Sequence, residues 1–164
     1  MSTTDPSLPV LLRALKLPGF LAHHHELAET ARDRGWTFEA YLRQLVELEV
    51  ETRSSRRIER HLKASKLPAD KTLATLDRSR LPDAVQRHLP TLCEGAFTRD
   101  GHNLLLFGLP GRGKTHVACA IGHELVRRGR QVRFYAAYEL VQELLAARRD
   151  LQLPEALRRL DRYD

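Results

Sequence analysis

Apolar residues along this chain change their spacing beyond its midpoint, and the change predicts two kinds of structure. Over the first hundred residues they recur at helical intervals. Val10 to Leu17 reads as a short apolar helix stopped by Pro18-Gly19, and a second helix runs from Phe20 to Arg34 and ends at Gly35. Thr37 is placed to cap a long helix that starts near Phe38. Trp36, Phe38, Tyr41, Leu42, Leu45 and Leu48 are expected to pack in the interior of this region rather than to stack on bases. The stretch 67–81, rich in Pro, Lys, Thr and Asp, reads as a linker, and Pro82 to Cys93 as one more helix.

Beyond residue 100 short apolar runs alternate with helical ones. Asn103-Leu104-Leu105-Leu106-Phe107 is too short for a helix and reads as a buried strand. Thr115 to Arg128 carries Val117, Ala118, Ile121, Leu125 and Val126 at helical spacing, and Gly129 ends it. Gln131 to Ala136 alternates like a second strand, Tyr138 to Arg149 is helical, and Leu153 to Tyr163 is a helix with Pro154 in its first turn. The fold class expected is α/β: a helical region over 1–66, the linker, and over 82–164 the first part of a parallel-sheet nucleotide-binding domain.

The eight residues joining the first strand to its helix carry the chemistry. Gly108-Leu109-Pro110-Gly111-Arg112-Gly113-Lys114-Thr115 matches the P-loop pattern at each defining position. Glycines there let the backbone turn its amides toward a β-phosphate, and the helix start adds partial positive charge. Lys114 would reach the β- and γ-phosphates and the Thr115 hydroxyl would be a Mg²⁺ ligand, so ATP and Mg²⁺ are the expected cofactors. Hydrolysis needs a further carboxylate at the end of an apolar strand. The second strand ends in Ala136-Ala137, and Asp161 and Asp164 follow no apolar strand, so no catalytic residue is assigned.

Charge adds a second candidate surface. The net charge is +6, and the helix from Glu39 to Lys66 carries Arg53, Arg56, Arg57, Arg60 and Lys63 on one side, opposite Ile58 and Leu62. Such a face suits a phosphate backbone, and it suits equally a solvated surface partly paired by Glu51 and Glu59. No base-reading motif accompanies it. His23-His24-His25 cannot converge on one ion, because consecutive helical residues point about 100° apart. Cys93 and Cys119 form no Cys-x-x-Cys pair, and no apolar run approaches the roughly 20 residues that span a bilayer, so a cytoplasmic protein is expected.

Further tracts join the P-loop in a wider pattern. Leu15-Lys16-Leu17-Pro18-Gly19-Phe20, Thr37-Phe38-Glu39, Lys71-Thr72-Leu73, His116-Val117-Ala118 after the loop, Val132-Arg133-Phe134, Glu139-Leu140-Val141 and Arg162-Tyr163-Asp164 resemble the IstB-like helper ATPases of insertion sequences. These are relatives of the helicase loader DnaC in the AAA+ class. The resemblance implies an ATP-dependent homo-oligomer on double-stranded DNA that assists a transposase. In that family Arg-Tyr-Asp leads directly into an apolar strand ending in an acidic pair, then into sensor and arginine-finger elements. Here Asp164 is the last residue, so the chain is expected to be the N-terminal portion of a longer ATPase, with the Leu104 to Phe107 strand lacking its sheet neighbours. A helicase-loader role and a non-enzymatic DNA-binding module with a relic P-loop stay open beside this reading.

Overall fold

The structure, a computed structural model, describes residues 7–164. The first six residues of the region read as 1–66 lie outside it. The chain divides into two compact units, Met1–Arg57 and Ile58–Asp164, with the boundary inside one long helix.

In the first unit, α1 (Ser7–Ala14) packs against α2 (Pro18–Asp33), and α3 (Phe38–Ser65) begins after a turn. Thr37 Oγ1 accepts from the Ala40 amide at 3.2 Å, which fixes the start of α3. Leu12 and Leu45 form the buried apolar centre. A buried carboxylate sits beside them: Glu49 accepts from the Gly19 amide at 2.7 Å and from the Phe20 amide at 3.3 Å, while Arg53 Nε donates to its other oxygen at 2.7 Å. Leu17 offers α2 no side-chain cap, so Glu49 from α3 satisfies the orphan amides of its first turn. Only glycine fits there, because a Cβ on Gly19 would lie 2.8 Å from Glu49 Cα. Tyr41 hydroxyl donates to the His24 carbonyl at 3.0 Å, and burial raises its pKa. Phe38 and Leu42 depart from expectation: both project outward, Phe38 being 92% exposed.

The second unit is built on α4 (Asp83–Glu94) against α6 (Lys114–Arg127), with the short α5 (Ala96–Arg99) between them in the chain. Leu89, Cys93, Val117, Ile121 and Leu125 form its interior with Leu76 and Leu81, two residues of the stretch read as a linker. Eight α6 residues from Val117 to Val126 are buried, so this helix is enclosed on most of its circumference. Burial pushes the thiols of Cys93 and Cys119 up, which leaves them inert. After Gly129 come α7 (Ala137–Arg149) and α8 (Leu153–Leu160), which pack on each other.

The parallel sheet expected from the sequence is not formed, and the α/β class is corrected to a helical one: no strand occurs among the described residues. Residues 102–109 and 130–136 form neither helix nor strand, and backbone groups in the second stretch bond to partners elsewhere. The Phe134 amide donates to the Ser65 carbonyl at 2.7 Å, and Gln131 exchanges bonds with Asp164, its amide to Oδ2 and its carbonyl with the Asp164 amide, each 2.8 Å. Without a neighbouring strand the run at 103–107 is covered on one side only: Leu104 and Leu106 pack inward, and Leu105 and Phe107 are 71% and 87% exposed.

Candidate nucleotide-binding site

The loop at 108–113 is suspended between two anchored pieces, Leu104 and Leu106 on the interior before it and α6 after it. Its backbone is what glycine permits. Gly111 and Gly113 have φ of +75° and +80°, and Gly113 caps α6. No side chain caps that helix and no acidic residue lies in its first turn. The first amides of α6 therefore retain hydrogen-bonding capacity next to a region of partial positive charge.

Lys114 folds back over the loop. Its Nζ donates to the Gly108 and Leu109 carbonyls, each at 2.8 Å, which holds the ammonium at the loop's mouth. Those two bonds are ones a phosphate oxygen can replace. Thr115 is exposed at the helix start, and Arg112 is exposed within the loop. A cavity of about 100 Å³ adjoins the loop, with Gly111, Arg112 and His116 on one side and Asp77 and Arg80 on the other. Asp77 is fastened locally: the Ser79 hydroxyl donates to it at 2.6 Å and the Ser79 amide at 3.1 Å, which lowers its pKa.

The cavity's second wall is the structural contribution that sequence reasoning missed. His116 Nε2 lies 3.1 Å from the Thr72 carbonyl and 3.2 Å from Thr75 Oγ1, and His123 Nε2 lies 3.0 Å from the Pro68 carbonyl. The two histidines are seven residues apart, so they share a face of α6 and clasp one segment against it. That spacing, with Leu73, Leu76 and Leu81 in the segment, is the signal that marks it.

All five basic residues singled out in the sequence lie on α3. Arg53, Arg56 and Arg57 belong to the first unit, Arg60 and Lys63 to the second. Arg53 is committed to Glu49 and to the Lys16 carbonyl, at 3.0 Å. Arg57 and Lys63 are exposed. Among the described residues no three His, Cys, Asp or Glu side chains group as a metal site, and no helix is long and apolar enough to cross a membrane.

Residues 10–164 match the family described as IstB-like ATP binding protein. The chain belongs to this family. It is 39% identical to an insertion-sequence ATP-binding protein of Sinorhizobium fredii, over 98% of this chain and 54% of the relative. It is 34% identical to the ATP-binding protein of insertion sequence IS5376 from Geobacillus stearothermophilus, over 88% of this chain and 57% of that protein. With that of IS21 from Pseudomonas aeruginosa the identity is 32%, over 93% and 58% respectively. The chain thus spans a little more than half the length of these relatives.

Proposed function

We propose that this IstB-like chain binds Mg-ATP at Gly108–Thr115 and serves, on DNA, as part of a helper for an insertion-sequence transposase. The observation that carries the reading is the loop itself: two left-handed glycines, an uncapped helix start and a lysine resting on carbonyls, in a chain whose family is described as ATP binding. Lys114, held on the Gly108 and Leu109 carbonyls, would supply its ammonium to phosphate oxygens of a bound nucleotide, and the amides around Gly111, Arg112 and Gly113 would offer donors to the same anion. Arg112, at the edge of the adjoining cavity, adds positive charge toward the bound anion.

Mg²⁺ fits this site as a companion of the nucleotide rather than as a resident ion. Thr115 offers one hydroxyl at the helix start, and Mg²⁺ commonly combines one or two protein ligands with phosphate oxygens and waters. When bound, the ion supplies charge neutralisation between the phosphates. No residue of this chain is assigned to hydrolysis.

DNA is bound without regard to sequence, through phosphates, by Arg56, Arg57, Arg60 and Lys63 of α3. Arg53 contributes less, since it is already engaged by Glu49. The relatives' insertion-sequence names favour transposition over replication as the setting, with a transposase and further copies of the protein as partners in the cytoplasm. Isothermal titration with Mg-ATP tests the core of this reading. Binding that is lost in Lys114→Ala while the circular dichroism spectrum is unchanged supports it, and binding indifferent to that substitution refutes it.

A further inference from the structure

Within the second unit, the segment 67–81 is laid along α6 toward the glycine loop. Near the middle of the helix Leu67 comes so close that a Cβ on Gly122 would lie 3.1 Å from Leu67 Cδ2, and His123 Nε2 lies 3.0 Å from the Pro68 carbonyl. Seven residues nearer the start of α6, about 10 Å along its axis, His116 meets Thr72 and Thr75. Leu76 and Leu81 then enter the interior, and Asp77 and Arg80 stand across the cavity of about 100 Å³ from Gly111 and Gly113. The segment thus runs antiparallel to the helix and ends at the loop.

The turn that His116 meets is knotted by one hydroxyl. Thr75 Oγ1 donates to the Asp70 carbonyl at 2.6 Å and accepts from the Thr72 amide at 3.0 Å. His116 ties that knot to α6: its Nε2 lies 3.1 Å from the Thr72 carbonyl, which can only accept, so Nε2 carries the hydrogen and donates. Thr115 stands immediately before His116, so one turn of α6 carries both the end of the loop and the anchor of the segment.

Direction along the loop assigns what the cavity takes. Lys114 Nζ rests over Gly108 and Leu109, the end where the β- and γ-phosphates of a bound nucleotide belong. The cavity opens at the other end, beside Gly111, Gly113 and His116, and a Cβ on either glycine would meet nothing within 4 Å. Its far wall combines Leu76 and Leu81 with the guanidinium of Arg80, a plane that stacks on a flat ring. We propose that His116 is a positioning residue for nucleotide binding, which fixes the 70–75 turn so that residues 76–81 wall the cavity for the nucleoside end of the nucleotide. Resting on Mg-ATP binding at Gly108–Thr115, this role makes the segment the source of preference for a nucleotide over a bare polyphosphate.

Calorimetric titration of the chain with Mg-ATP and, separately, with magnesium tripolyphosphate tests it, because only ATP carries a nucleoside. The parent chain is expected to bind ATP more tightly. His116→Ala should lower the ratio of the two affinities roughly tenfold, since the wall is no longer held in place, and Thr75→Val, at a residue that does not line the cavity, should lower it in the same direction. His116→Gln, which keeps an N–H donor near the position of Nε2, should restore most of the ratio. Equal affinity of the parent chain for both ligands, a ratio unchanged in the variants, or a Gln variant indistinguishable from Ala would each overturn the proposal. If His116→Ala loses its helical circular dichroism, the Thr75 variant decides. Each of these results leaves ATP binding itself standing; a parent chain that binds neither ligand removes that reading, and this inference with it.

Discussion

Glu49 shows how one side chain holds a small unit together. Burial alone would raise its pKa, but the Arg53 guanidinium and the amides of Gly19 and Phe20 outweigh that and hold it below the ordinary glutamate range. A carboxyl whose folded-state pKa is lowered stabilises the fold above its unfolded pKa, and the contribution is lost as pH falls through the folded value. Unfolding of the first unit should therefore become easier on acidification below about pH 4, and Glu49→Gln should flatten that dependence, as read from urea midpoints across pH. Gly19→Ala should cost about 1–3 kcal/mol in the same assay, since the added methyl meets the α3 backbone rather than a side chain that can swing away. A neutral Gly19→Ala would contradict the close approach of α2 and α3.

Among the elements, α6 links the second unit's interior to the loop. Leu125→Ala should destabilise that unit by about 2–5 kcal/mol in urea unfolding, because Leu125 is buried among the α4 and α6 residues. His123→Ala and His116→Ala should speed amide hydrogen exchange in residues 67–76 while leaving α4 protected, because each removes a tether of that segment. Equal protection in wild type and variants would show the clasp to be inconsequential.

Much of this level was legible in sequence. Helical spacing with stops at Gly35 and Gly129 located α2 and α6 to within a few residues, and the eight-residue loop declared itself by composition. The α/β class was not legible correctly, because a short apolar run states that a segment can be a strand and not that a partner strand is beside it. Leu105 and Phe107 therefore counted toward a buried strand that the described residues do not complete. The tethering of 67–81 was hidden because polar, Pro-containing composition suggested a connection, while its fastening depends on two histidines more than 40 residues away in sequence. Phe38 and Leu42 were expected inside for the opposite reason: apolar character alone does not choose which side of α3 is covered.

For the molecule as a whole, a phosphate grip at one loop and a basic helix are separable functions with different dependences on salt. DNA affinity should fall steeply with salt, and replacing Arg57 and Lys63 with Gln should lower the logarithmic slope by about 2 if both contact phosphate, as measured by fluorescence anisotropy on duplexes of unrelated sequence. An unchanged slope would remove those residues from the DNA surface. Nucleotide binding bears most directly on the account, because Lys114, held on two backbone carbonyls, would supply its ammonium to a triphosphate. The decisive measurement is calorimetric titration of the folded chain with ATP, with and without Mg²⁺, beside Lys114→Ala. Saturable, magnesium-enhanced binding by the parent chain and none by the variant is the result predicted; no heat of binding in the parent, or equal binding in both, would contradict it.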